Sequence, residues 1–252
     1  MPTPDTDVFK IIDRLDEIEE TITSMAQNQP RNLQTQIGPS EIGTACVRCL
    51  CLKLAGYEKE KSDSFPWSAW IGTCCHRWLE QEFKKLALRT QNHDLLTEVK
   101  IPVGEIDGTQ CVGSCDLYDS KKHVCVDWKF AGTTMLKKYA SGNIPRHYEV
   151  QAHLYAKGLN DLGMRCDWVS ICFFPRTQNS WKNKVWWIRP YNQEIALQAL
   201  QRANYYKKEI NKNTCRGLEY FKYLPTATGC ISCKDYEYLF ETQQKKEHSK
   251  NG

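Results

Sequence analysis

The sequence predicts an α/β layer fold in which a mixed central sheet is flanked by helices and preceded by an amphipathic helix. Helical spacing and strand-like alternation interleave along the chain in the order α-β-β-β-α-β, the pattern of a sheet covered by helices. Its 252 residues can bury one sizeable core with an appendage. The composition, 41% hydrophobic and 25% charged, is that of an ordinary globular chain.

The first element is a seam. Val8, Ile11, Leu15, Ile18, Ile22 and Met25 recur at alternating steps of three and four among charged residues, the heptad pattern of an amphipathic helix. Such a helix suits docking on its own domain, self-association or contact with a protein partner. Gln27 to Gly38 is polar, contains Pro30, and reads as a linker, so residues 1–38 are expected to form a helix and linker. The compact domain is expected over residues 39–241 and a polar tail over 242–252.

Within that domain Cys46 to Leu54 and Trp67 to Leu88 carry helical spacing. Leu96 to Val103, Thr109 to Tyr118 and Lys122 to Phe130 suit strands, the last two joined by the polar turn Asp119-Ser120-Lys121. Tyr148 to Leu162 returns to a helix, Asp167 to Pro175 and Val185 to Arg189 suit strands, and Asn192 to Lys212 suits a surface helix. No apolar run approaches the roughly 18 residues of a membrane helix. The opening lacks the basic start and apolar block of a secretory signal, so the cytoplasm is the expected location, a host's if the chain is viral.

Asp116 and Asp127 sit on adjacent predicted strands joined by a short turn, which can bring both carboxylates to one end of a hairpin. Lys129 follows Asp127 by two residues, so strand alternation points both side chains to one face. Paired carboxylates beside a cation suit Mg²⁺- or Mn²⁺-dependent phosphodiester hydrolysis, in which a hard cation polarises the phosphate and an ammonium steadies developing charge. Taken alone, Asp-x-Lys also suits a solvated strand edge.

The order of the surrounding motifs resembles the RecB-like branch of the PD-(D/E)xK nucleases, which includes CRISPR-associated nucleases and phage recombination exonucleases. The motifs are Gly72-Thr73-Cys74-Cys75-His76-Arg77-Trp78-Leu79-Glu80 on a helix, Gly113 to Asp116 ending a strand, Asp127-Trp128-Lys129 in the next, and Gln151 to Tyr155 on a later helix. The resemblance spans roughly Pro39 to Glu241 and implies a restriction-endonuclease-like core. It implies His76, Asp116, Asp127 and the Trp128 carbonyl as metal ligands, Lys129 as catalytic, and Gln151 and Tyr155 as lining the site and touching substrate. The activity it implies is a DNA exonuclease acting at ends, with unpaired strands, in recombination, repair or replication. A non-cutting or partner-dependent DNA-binding module of the same fold is the alternative.

Thirteen cysteines in a chain without an export signal point to ligands or buried thiols rather than disulfides. Cys46 and Cys49 form one C-x-x-C pair and Cys230 and Cys233 another, far apart in sequence. Together they supply the four thiolates of a tetrahedral Zn²⁺ or a [4Fe–4S] cluster, closing the ends of the domain around its core. The resemblance implies the iron–sulfur cluster, although no third cysteine follows Cys233 and Leu239 stands near where one would fall. The two-plus-two arrangement is equally natural for zinc. Cys51, Cys74, Cys75, Cys111, Cys115, Cys125, Cys166 and Cys172 are expected in the core. Trp181-Lys182-Asn183-Lys184, Tyr205-Tyr206-Lys207-Lys208, and Lys137, Lys138, Tyr139 and Arg146 mix cations with aromatics as nucleic-acid surfaces do.

Overall fold

Strand alternation divides the side chains of the sheet between two unequal cores. The computed structural model describes residues 4–27, 36–60, 65–91, 93–178 and 180–241, with side chains in the first helix from Ile11. Strands β1 (Leu95–Ile106), β2 (Thr109–Asp119), β3 (Val124–Ala131), β4 (Trp168–Pro175) and β5 (Val185–Pro190) form one sheet in that order. Neighbours are antiparallel except β3 and β4, which are parallel. A parallel pair needs a crossover, here supplied by α5 (Thr133–Ala140) and α6 (Arg146–Asp161).

The larger core joins Ile101, Val169, Ile171 and Phe173 of the sheet to Leu154 and Leu159 of α6, Leu50 and Leu52 of α3 (Val47–Leu54), and Ala203 of α7 (Gln193–Lys212). On the opposite face Leu117, Val126, Trp128 and Cys172 pack with Leu79 and Phe83 of α4 (Trp67–Thr90). The order of these elements is the one expected from the sequence. The β2–β3 turn is fixed by Asp119, whose carboxylate accepts the amides of Lys121 and Lys122 at 2.9 Å each. Asn192 caps α7 by accepting the Glu194 amide at 3.0 Å.

Several expectations change. Helix α5 was not anticipated, because its short apolar pattern reduces to Leu136 and Tyr139. Tyr139 is buried against the Phe173 ring at 4.3 Å and belongs to the core, not to a nucleic-acid surface. Cys74 is exposed and Cys75 half-buried, since both lie on the long α4, which has no fully buried residue. Helix α1 spans Pro4–Gln27; Ile11, Leu15, Ile18, Ile22 and Met25 of its seam are exposed, while Ala26 near its end is buried, and the side chain of Val8 lies outside the described residues. Most of the linker and the polar tail lie outside the described residues. No helix among the described residues is long and apolar enough to cross a membrane.

His153 of α6 is 1% exposed, and its Nδ1 accepts the Asn192 amide at 3.2 Å. Burial pushes its pKa down to about 4. The unfolded chain therefore takes up this proton first as pH falls, so stability is intact above the ordinary histidine range and is lost between about 6.5 and about 4. Chemical denaturation at pH 7 and pH 4.5 should show a loss on the order of 2 kcal/mol from this group. Replacement by Gln should flatten that part of the pH profile, and an unchanged slope would remove His153 as its source.

Candidate active site

The hairpin of β2 and β3 opens where the chemistry sits. The strands pair only at Leu117↔Val126, Tyr118↔Cys125 and Asp119↔Val124. Beyond Leu117 they part, and the Asp116 Oδ2 accepts the Trp128 amide at 2.7 Å. The carboxylate thereby satisfies a buried backbone donor that the strand ladder leaves unpaired. Its other oxygen, Oδ1, lies 3.2 Å from His76 Nδ1 on α4.

Asp127, 3% exposed, points to the α6 side of the sheet, where its Oδ2 pairs with the Lys129 ammonium. Its Oδ1 accepts from Gln151 Nε2 at 3.2 Å, and the same amide nitrogen lies 2.9 Å from the Tyr155 hydroxyl. Burial raises the Asp127 pKa, against the lowering influence of Lys129. Gln151 and Tyr155 are one helical turn apart, which lets them act on Asp127 as a pair. Gly113, two strand positions before Cys115, makes room for them: a Cβ there would lie 2.6 Å from Tyr155 Cε1 and 2.6 Å from Pro39 Cγ.

One acid was not anticipated from the sequence. The pairs Thr97↔Leu117 and Val99↔Cys115 place Glu98 directly across from Asp116. Like charges directly opposite one another on neighbouring strands repel. Glu98 also takes a left-handed φ of 50°, and its Oε2 accepts a hydrogen bond from the Ser114 hydroxyl. Ligand atoms of His76, Glu98 and Asp116 lie within 4.8 Å of one another. Nothing in the local sequence separates Glu98 from an ordinary strand-face acid, because its place depends on the β1–β2 register.

These residues surround a cavity of about 520 Å³ lined by His76, Glu98, Asp116, Asp127, Lys129, Gln151 and Tyr155. Among the described residues, Gln151 Oε1 is buried without a hydrogen-bond partner. A nitrogen, carboxylate oxygens and a 3.2 Å ligand spacing suit a divalent cation, since adjacent ligands of a six-coordinate ion with bonds of about 2.1 Å stand about 3.0 Å apart. The Trp128 side chain is buried in the smaller core, while its residue lines an adjoining cavity with His76, Lys129, Phe130 and Gln151. Of the basic clusters, Tyr205 to Lys208 lies on α7 and lines neither cavity, and the Lys207 ammonium binds the Leu54 carbonyl at 3.0 Å.

The four paired cysteines meet. Cys46 and Cys49, at the start of α3, face Cys230 and Cys233, which flank the first turn of the 3₁₀ helix Ile231–Tyr236. The Sγ separations are 3.5 Å for Cys46–Cys233, 3.6 Å for Cys49–Cys230 and 3.5 Å for Cys49–Cys233. A tetrahedral ion with bonds of about 2.3 Å sets its sulfurs about 3.8 Å apart. A four-iron cube instead interposes a separate iron at each thiolate and holds the sulfurs much wider. Three of the six separations are thus close to those around a single tetrahedral ion, and all four sulfurs lie within 4.8 Å of one another, closer than a four-iron cluster would set them. Cys215 is exposed and Cys51 buried, and neither joins the four.

No protein-family model and no curated protein matches the chain. Among solved structures, LHK-Exo in complex with dAMP aligns with a TM-score of 0.47 at 11% identity, over 74% of this chain and 93% of that one. LHK-Exo, an alkaline exonuclease from Laribacter hongkongensis, aligns in a second structure at 0.46 and 11% identity, over 75% and 92%. The structure of SSO0001 aligns at 0.45 and 14% identity, over 84% and 92%. At this level of likeness the chemistry has to be read from the chain's own residues.

Proposed function

We propose that the chain is a divalent-metal-dependent deoxyribonuclease of the PD-(D/E)xK kind that trims DNA from its ends, as recombination, repair or replication requires. The observation that supports this best is the facing pair Glu98 and Asp116 beside His76, with the buried Asp127–Lys129 pair in the same cavity. Opposed carboxylates are costly unless a cation joins them. His76, Glu98 and Asp116, with Asp127 and the Trp128 carbonyl as further donors, would hold a Mg²⁺ or Mn²⁺, which would supply Lewis acidity toward the scissile phosphate.

Lys129, held by Asp127, donates toward the attacking water or a non-bridging phosphate oxygen and offsets charge there. Gln151 fixes the Asp127 carboxylate with its amide nitrogen, and its free Oε1 can accept from the attacking water. Tyr155 holds Gln151 in that orientation. The water oxygen bonds to phosphorus as one ester P–O bond breaks, and the proton that the water gives up is returned through solvent to the leaving oxygen. At Cys46, Cys49, Cys230 and Cys233 we infer Zn²⁺, in place of the [4Fe–4S] cluster implied by the resemblance.

End-labelled linear DNA and covalently closed circles, incubated with Mg²⁺, Mn²⁺ or EDTA, test the proposal, with Lys129→Ala as control. Shortening of linear DNA with either cation, none with EDTA or the variant, and intact circles are expected. Cleaved circles would make the enzyme an endonuclease. Failure of the wild type on every DNA would favour a binding module or an enzyme active only with a partner.

A further inference from the structure

Beside the catalytic cavity lies an apolar slot in which four of the six lining residues are aromatic. It encloses about 390 Å³ and is lined by Cys75, Trp78 and Leu79 of α4, Phe130 of β3, Phe174 of β4 and Trp181 of the β4–β5 connection. Phe130 and Phe174 are register partners across the parallel pair, with stacked rings 5.3 Å apart. Trp181 stacks on Phe174 at 6.1 Å with its plane tilted by only 6°. The other edge of the run reaches the catalytic residues, since the Phe130 ring meets the His76 ring at 5.9 Å and Phe130 follows Lys129 directly in the chain.

Trp78 is 61% exposed and Trp181 is 63% exposed. Two solvent-facing indoles at one slot are unfavourable without an occupant, and an apolar patch of this kind marks a binding surface. Its borders are cationic: the Lys184 ammonium lies 4.6 Å from the Trp181 ring centroid, Lys182 is exposed beside it, and no carboxylate lines the slot.

We propose that this slot stacks unpaired bases of the DNA strand being cut, so that the enzyme selects ends with a single-stranded stretch. The proposal rests on the nuclease reading for the adjoining cavity and adds the site that would tell an unpaired strand from a paired one. Stacking needs flat apolar faces, which any base satisfies, and phosphates need the flanking lysines. A paired base hides its faces within the duplex and cannot enter.

The test measures binding without cleavage. Fluorescein-labelled oligothymidylate and a blunt-ended hairpin are titrated, in EDTA, with wild type, Trp78→Ala, Trp181→Ala, the double variant and Trp181→Phe. The ratio of single-strand to hairpin affinity should fall about 10- to 100-fold in the double variant, as loss of one or two stacked bases implies. Trp181→Phe should recover most of it, which a merely misfolded loop would not. Equal ratios in wild type and double variant would overturn the proposal. So would a wild-type dimer that the double variant converts to monomer without changing the ratio, since the slot would then join two copies. Cleavage in Mg²⁺ is scored separately, so loss of the nuclease reading and loss of the stacking slot are distinguishable.

Discussion

Asp116→Asn should abolish DNA hydrolysis, by at least about 10³-fold, while leaving the protein as stable as the wild type. The two oxygens of Asp116 have different partners. Oδ2 receives the Trp128 amide at 2.7 Å, and Oδ1 faces His76 Nδ1 at 3.2 Å, opposite Glu98. An asparagine keeps an acceptor for Trp128 but presents an NH₂ group where a cation needs a lone pair. A loss of about 10³-fold corresponds to about 4 kcal/mol of transition-state stabilisation, a reasonable share for one ligand and its charge. Without metal, the substitution also relieves repulsion between opposed carboxylates, so the melting temperature should stay level or rise.

The added signature is ligand-linked. Mn²⁺ should raise the melting temperature of the wild type and not of Asp116→Asn, because only a state that binds the ion is stabilised by it. Asp116→Ala makes a useful contrast: it strands the Trp128 amide without a partner, which costs about 1–3 kcal/mol, so activity and stability should fall together. If Asp116→Asn kept more than a tenth of wild-type activity, or responded to Mn²⁺ as the wild type does, Asp116 would not be a ligand.

What could be read from the sequence followed from local periodicity. Alternation along Val124 to Ala131 places Asp127 and Lys129 on one face, and one helical turn places Gln151 over Tyr155. Glu98 could not be found in that way, since its opposition to Asp116 is a property of register and of a left-handed backbone, both tertiary outcomes. Tyr139 was misjudged for a related reason. A cation-flanked aromatic looks alike on a surface and at the rim of a core, and only its contact with Phe173 decides. Phe130 and Phe174 carry no motif and acquire meaning only as neighbours across a parallel pair joined by a long crossover. The cysteine pairs are legible in the sequence as candidate ligands, but whether the four meet, and how closely, depends on separations that spacing in sequence does not contain.

Those separations lead to the second large effect. Cys233→Ser should remove the bound metal and lower the melting temperature by roughly 10 °C, whereas Cys215→Ser should do neither. The four sulfurs stand between α3 and the Ile231–Tyr236 turn, so a metal bound there would join an early helix of the domain to a segment near its end. Other contacts also tie these segments together. The Arg48 amide donates to the Pro225 carbonyl at 3.1 Å, the Arg48 guanidinium to the Lys222 carbonyl at 2.6 Å, and Lys59 pairs with Asp235 at 3.0 Å. Tyr236 is buried beside them. Because these contacts survive the substitution, the loss should be well below the roughly 10–16 kcal/mol of a structural zinc in an isolated finger. A loss of about 3–5 kcal/mol, at about 2–4 °C per kcal/mol for a chain of this size, gives the predicted shift. Elemental analysis of anaerobically purified wild type should find one zinc per chain and a colourless solution. About four irons per chain with broad visible absorption would mean that the thiolates stand wider apart than 3.5–3.6 Å, and the single-ion assignment would fall. Metal retained by Cys233→Ser with an unchanged melting temperature would remove the clamp altogether, leaving the hydrogen bonds of Arg48 and the buried Tyr236 to hold the two segments together.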